Sequence, residues 1–365
     1  MNPAILIPTP DPIPVHWGWF KFFLIVTFMI HILFVNIMIG TGIIAFFTRD
    51  RKEEADGLEK DISRKLTFII AFTVNFGVAP LLFLQVLYGH FIYVSSMLMA
   101  VWWLSIIGLL IIAYYSAYYY KFRFDVSDVR RYFIGTTVMI LIFIGFLFTN
   151  NMTLMLTPEA WFSYFSNPEG TLLNLSEPSL FPRFLHFMTA SAAVGGLFTA
   201  IIWSLKQKKG IPGAEKNINL GMKWFTIATL IQIPVGIWFL MALPRDLTRL
   251  FMGGDILHTT IFLISLALTA LTLLFGFSRK VRSAAASAVV LVFFMIIMRD
   301  MVRTAWLQPF FEPSGLEVIP QYSPMILFLV SLVAGGGVVI YVIRLASAGV
   351  QECENGFFAS ERSDA

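Results

Sequence analysis

Charge is scarce in this chain. Of its 365 residues only 13% are Asp, Glu, Lys or Arg, where roughly 25% is usual for a soluble globular domain. Cysteine is nearly absent. The single Cys353 excludes an intrachain disulfide, a C-x-x-C-H attachment site for c-type haem, and any cysteine-ligated cluster held by this chain alone. Acids are missing altogether from residues 66–120. The first twenty residues, Pro-rich and without a basic n-region, do not read as a cleavable signal. No internal repeat is detectable. The formal net charge of +4 says little about nucleic acid, which is not an expected partner; its distribution bears on topology instead.

What fills the space is apolar. The chain is 58% hydrophobic and 16% aromatic, with 37 Phe. Apolar runs of about 20 residues, enough to cross a bilayer core as helix, recur along its length. They are too long and continuous for barrel strands, the other structure able to span. The expected fold class is therefore an all-α, polytopic membrane protein with about nine transmembrane helices. The runs fall near 17–47, 66–88, 97–120, 132–152, 182–205, 222–243, 256–277, 284–303 and 324–346. Residues 1–348 form the transmembrane domain, and 349–365 form a polar cytoplasmic tail without regular structure.

The basic residues orient the bundle. Links 49–65, 121–131, 206–223 and 279–282 hold six, four, five and three Lys or Arg, and the C-terminal end adds Arg344 and Arg362. By the positive-inside rule these links are cytoplasmic. The N-terminus is then outside, the C-terminus inside, and the location a prokaryotic inner membrane. The six other basic residues, Lys21, Arg183, Arg245, Arg249, Arg299 and Arg303, fall at the outer face, where the rule disfavours them. Snorkelling or lipid contact accounts for such residues singly. As a group they suggest that something anionic is held there.

Ionisable residues inside a membrane helix are functional candidates, and five histidines are present: His16, His31, His90, His186 and His258. His31 lies deep in the first run. His186 and His258 lie near the starts of two runs that cross in the same direction, which places them at one expected depth. Two imidazoles at one depth can clamp an iron. Helical spacing puts Ala190, Ala193 and Gly196 or Leu197 below His186, where small side chains would leave a flat slot for a porphyrin. Arg183 sits one turn nearer the surface, within reach of a haem propionate. The plainer readings are a hydrogen-bonded packing histidine and ordinary small-residue helix contact. His16 and His90, at the outer ends of the first two runs, form a weaker candidate pair. Their plainer reading is an aromatic belt with Trp17, Trp19 and Tyr88.

At these positions the chain resembles subunit I of the cytochrome bd quinol oxidases. "FMIHILFVNIMIG" resembles that family's first-helix motif with its haem-ligating histidine. "PRFLHFMTASAAVGG" resembles the helix whose histidine ligates the low-spin haem b. "DILHTTIFLISLAL" falls where the family carries a methionine ligand, here replaced by His258. "DMVRTAW", with Arg303 and Trp306, echoes the E-x-G-R-Q-P-W signature. The resemblance implies one or more b haems held by His186, His258 and His31, with Arg183, Arg303 and Trp306 at the cofactor. It departs where oxygen is reduced. The third run and residues 284–298 lack the family's acids, and the link 244–255 is short where the family has its long quinol loop.

The expected function is that of a membrane cytochrome b, an electron-transfer subunit of a respiratory complex. It would relay electrons between the quinone pool or membrane and periplasmic partners. The expected partners are a periplasmic cytochrome c or an iron–sulfur subunit in a hetero-oligomeric complex, with membrane lipids around it and quinone as a candidate ligand. A divergent bd-type terminal oxidase and a transporter without redox chemistry are the alternatives.

Overall fold

A computed structural model describes residues 2–48, 57–124 and 129–363, with side chains described to residue 345. Among them nine helices are long and apolar enough to cross a membrane, as the apolar runs predict. They are α1 (Trp17–Phe47), α2 (Leu58–Leu98), α3 (Ala100–Phe122), α4 (Arg130–Leu156), α5 (Leu180–Lys208), α6 (Ala214–Ala242), α8 (Ile256–Phe277), α9 (Val281–Leu307) and α10 (Tyr322–Ser363). A short α7 (Arg245–Arg249) and a π-turn (Leu250–Gly254) fill the link before α8.

Several helices outrun their apolar stretches. α2 starts eight residues before the run at 66, because Glu59, Lys60, Arg64 and Lys65 are good helix formers and Asp61, in the first turn, pairs with Lys65 four residues on. α10 continues to Ser363, so the backbone is helical through most of the expected 349–365 tail. Pro80, buried, and Pro234, exposed, lie inside α2 and α6, which continue through them.

The chain divides into two units. One comprises Pro12–Trp17 with Leu316–Ala365. Within it, residues 13–14 run beside 317–321: Ile13 N–H donates to the Glu317 carbonyl at 2.8 Å and Gln321 N–H to that of Pro14 at 2.8 Å. The other comprises Met1–Asp11 with Gly18–Gly315 and holds α1 from Gly18, through α9.

In this larger unit α5 is central, and two adjacent glycines explain why. Gly195 faces α1: a Cβ there would lie 2.4 Å from the Gly40 carbonyl carbon, and one on Gly40 would lie 1.9 Å from the Ser191 carbonyl oxygen. Gly196 faces α6, where a Cβ would meet the Gly221 carbonyl oxygen at 2.6 Å. Each glycine thus admits one neighbouring backbone, the close approach on which membrane helix packing depends. Ala193 and Leu197 are buried with Met222 and Phe225 of α6. This corrects the expected porphyrin slot below His186, because α6 itself fills that strip.

A buried hydrogen bond from Ser191 Oγ to Asn36 Oδ1, 2.9 Å, sets the register of α1 on α5. With Gly40 against Gly195, the two helices run parallel. His31 and His186 each lie five residues before this bond, so both sit about 7.5 Å above it at 1.5 Å per residue. That end of the bundle is called the histidine end below, and the end where α1 and α5 finish is the lysine end.

Candidate functional site: an arginine-lined cavity flanked by half-satisfied imidazoles

Three arginines converge at the histidine end. Arg183 of α5 and Arg299 and Arg303 of α9 line a narrow, partly open cleft with Met152, Met155 and Leu156 of α4. Arg183 and Arg303 are buried, at 8% and 5% exposure. Each guanidinium rests on aromatic rings: Arg183 lies 5.1 Å from the Phe239 centroid and 5.9 Å from Trp306, Arg299 lies 4.2 Å from Phe28, and Arg303 lies 4.7 Å from Tyr88. Tyr88 has non-helical backbone angles (φ −133°, ψ 29°) that break the regularity of α2 where its ring meets Arg303.

Asp300 answers part of this charge. One oxygen accepts from Arg303 and the other pairs with Lys21 at 2.9 Å. Glu177 lies near enough for its charge to act on Arg183. Lys21, Arg183, Arg299 and Arg303 still outnumber these two acids. Buried N–H groups are left over as well: Nε and Nη2 of Arg183, and Nε and Nη1 of Arg303, have no acceptor. A buried donor without a partner costs about 1–3 kcal/mol, more when charged. These arginines therefore carry more positive charge and more N–H donors than Asp300 and Glu177 answer.

Two imidazoles lie one aromatic ring away from these arginines. His186 shares Phe239 with Arg183, its ring 6.4 Å from that phenyl. Its Nε2 is 3.2 Å from the Gln232 side-chain amide, and its buried Nδ1 has no partner. Gly236 faces the ring, and a Cβ there would reach 3.4 Å from Cε1. On α1, His31 lies 6.4 Å from Phe28, the ring on which Arg299 rests. His31 Nδ1 donates to the Thr73 carbonyl at 3.1 Å, leaving Nε2 with its lone pair.

His258 is held the same way but elsewhere. Asp255 caps α8, accepting from the His258 backbone N–H at 2.9 Å and from its ring Nδ1 at 2.6 Å. These two bonds from His258, backbone first and then side chain, hold the Asp255 carboxyl below the usual carboxylate range. Nε2 of His258 is thereby left uncommitted.

The register along α6 sets His186 and His258, the pair expected on one iron, at different heights. Gly276 of α8 faces Phe225 and Thr226 of α6. Counting back along α8, His258 comes level with about residue 243 of α6, whereas His186 meets Gln232 and Gly236. The offset is roughly nine residues, or about 13 Å along the bundle. The physical reason is that α7 and the π-turn carry the chain on past α6 before α8 begins. Phe239 and Phe251, the aromatic neighbours of His186 and His258, meanwhile pack into one apolar cluster with Leu243, Leu247 and Val302. His31, which sequence reasoning assigned to a separate group, is the imidazole level with His186.

His90 packs between Phe91 and Phe311, with centroids 4.4 and 4.5 Å away, and its Nε2 is buried without a partner. His16 lies against Trp17 at 5.2 Å, in the smaller unit. Of the aromatic neighbours expected for this pair, His16 meets Trp17, whereas His90 meets Phe91 and Phe311 instead. Among the described residues no group of three or more His, Cys, Asp or Glu gathers as a metal site. Arg299 was not singled out from the sequence. Its four-residue spacing from Arg303, one face of α9, was the available signal.

No family model matches the chain, and neither a curated protein nor a solved structure is similar to it. The likeness to the oxidase subunit therefore rests on the short motifs alone.

Haem makes two demands on a protein, an imidazole nitrogen free to ligate and cations for its propionates. His31 and His258 each donate one ring N–H to a carbonyl or carboxylate and keep the other nitrogen bare, the orientation metal-bound histidines adopt. His186 Nδ1 and the Arg183 and Arg303 donors are orphaned. The residues fit the group in donor chemistry.

Proposed function

We propose that this chain is a membrane cytochrome b, an electron-transfer subunit that holds b-type haem at its histidine end. The observation that carries the reading is the conjunction of buried arginine N–H groups lacking acceptors with two level imidazoles, His31 and His186, each having one nitrogen uncommitted. An amphipathic dianion that also takes a nitrogen ligand answers both needs at once. Bound haem would supply a one-electron iron couple.

The chain's own residues do the rest. His186 and His31 ligate, Thr73 and Gln232 fix the orientation of those rings, and Arg183, Arg299 and Arg303 bind propionates. Trp306 and Phe239 shield Arg183 from water, which strengthens its pairing. His258, oriented by Asp255, offers its Nε2 about 13 Å farther toward the bundle end, where it would serve a group separate from the one at His186. With no c haem or cluster of its own, the chain works with redox partners: a periplasmic cytochrome c or an iron–sulfur subunit on the outer side, and the quinone pool. The setting is a hetero-oligomeric complex in a prokaryotic inner membrane.

The optical spectrum of the purified protein tests this. A b-type spectrum that is lost or altered in His186→Ala, and little altered by carbon monoxide, is expected. A protein without haem absorbance, or a spectrum indifferent to both His186→Ala and His31→Ala, would overturn the reading.

A further inference from the structure

The link between α8 and α9, at the lysine end, holds the one non-glycine residue with a positive φ among the described residues, Arg279 at 53°. Its N–H donates to the Gly276 carbonyl at 3.1 Å, and the Lys280 N–H donates to that of Phe275 at 3.0 Å. These two bonds set Arg279 in the left-handed position just past the end of α8. Glycine is the usual occupant there, because a Cβ is disfavoured in that conformation. The chain keeps an arginine against this preference. A cation near a helix C-terminus offsets part of the cost, and basic links orient a membrane chain. Lys280 and Arg282 serve both needs without a charge at 279.

What Arg279 adds is reach. Its Nη1 donates to Asn219 Oδ1 of α6 at 3.1 Å, which carries the guanidinium over to the start of that helix. Lys223 lies one turn along α6 from Asn219, on the same face. Arg279, Lys280, Arg282 and Lys223 are all exposed, and none of them pairs with an acid among the described residues. Residues 256–299 contain no Asp or Glu, and Glu215 is the only acid of α6. Four cations therefore stand against a single carboxylate.

Their depth says what meets them. α8 is an apolar helix of 22 residues, about 33 Å long at 1.5 Å per residue, and a bilayer hydrocarbon core is about 30 Å thick. Only residues 278–280 separate α8 from α9. The link is thus held at the headgroup layer. Leu274 and Phe277, in the last turn of α8, are exposed, one turn from the cations and at the level of acyl chains.

We propose that Arg279, Lys223, Lys280 and Arg282 form a site for the phosphate of an anionic phospholipid such as phosphatidylglycerol. A lipid answers the cations and the exposed apolar turn together. Free phosphate or a soluble acidic protein would answer the cations alone. The site does not depend on haem.

The test places the full-length protein in vesicles containing a photoactivatable phosphatidylglycerol, with the matching phosphatidylcholine as control. Labelling is read on peptides covering 215–226 and 272–285. Labelling by phosphatidylglycerol in excess of the control, weakening as salt rises, is expected. Arg279→Gly is expected to reduce that excess about fivefold, the factor for one cation near a membrane surface. The same substitution should leave the denaturation midpoint unchanged or raise it, since glycine suits the backbone there. Weaker lipid labelling without loss of stability marks a residue kept for its charge. Lys223→Gln, away from the helix end, is expected to reduce labelling by a similar factor and keeps the proposal testable should Arg279→Gly fail to fold. Equal labelling by phosphatidylcholine, displacement by inorganic phosphate at matched ionic strength, or unchanged labelling in both variants would each overturn it. So would an Arg279→Gly protein that is less stable and labels normally.

Discussion

Replacing Asp300 by Asn keeps the shape of the side chain and removes the one carboxylate paired with two of the clustered cations. Its side chain is 6% exposed and that of Arg303 5%, so this pair is desolvated on both sides. Breaking a buried pair by neutralising one partner costs about 3–5 kcal/mol, chiefly through the charge left behind. The second arm, to Lys21 at 2.9 Å, is 30% exposed on the lysine side, so screening limits it to about 0–1 kcal/mol. Asp300→Asn is therefore expected to destabilise the larger unit by about 3–5 kcal/mol. Unfolding titrations of detergent-solubilised protein measure this, and a double-mutant cycle with Arg303→Gln isolates the pair, for which non-additivity of about 1–3 kcal/mol is expected. The haem-loaded protein should lose less than the haem-free protein, because a bound dianion supplies part of the missing charge. A loss below about 1 kcal/mol together with an additive cycle would refute the argument that these arginines are buried and short of anions.

Arg183→Gln should lower the midpoint potential of the haem at His186, since removing a nearby cation favours oxidised iron, and should do so with little dependence on salt. An unchanged potential, with weaker and salt-sensitive partner association, would assign Arg183 to docking instead. Asp255 has a depressed folded pKa, so the stability it lends the start of α8 is present above the ordinary carboxylate pKa and is lost as pH falls through the depressed value. The His258 ring resonance in labelled protein should report that acid transition, and Asp255→Asn should abolish it; a persisting transition would point to another group. Gly40→Ala places a Cβ 1.9 Å from the Ser191 carbonyl oxygen, and the helix shift it forces should cost about 1–3 kcal/mol in the same unfolding titration. A neutral substitution would mean that α1 and α5 cross less closely.

The spans were legible because the bilayer imposes one requirement that composition answers directly, an apolar run of sufficient length. The expected first and seventh runs, 17–47 and 256–277, coincide with Trp17–Phe47 and Ile256–Phe277. The start of α2 was hidden because charged residues such as Lys60 and Asp61 leave the bilayer without leaving the helix. Gly195 and Gly196 were visible as small residues, yet their use was ambiguous, since a strip that admits a porphyrin admits a backbone equally well. Only the facing backbone of Gly40 and the carbonyl of Gly221 distinguish the two. Depth failed for His258 for a related reason. Position within a run fixes depth only if runs begin at one level, and the residues spent in α7 and the π-turn break that condition. The arginine cleft was half legible. The sign rule flagged all its arginines as misplaced charges, but their convergence depends on how α4, α5 and α9 pack, and Arg299 was passed over beside Arg303.

The central claim, that this chain carries b-type haem, is tested most directly by a pyridine haemochrome assay on the purified full-length protein, expressed per polypeptide. The account predicts at least one haem b per chain in the unmutated protein, with the ratio reduced in His186→Ala. A ratio near zero from haem-replete cells, in protein that is folded by its unfolding titration, would contradict it.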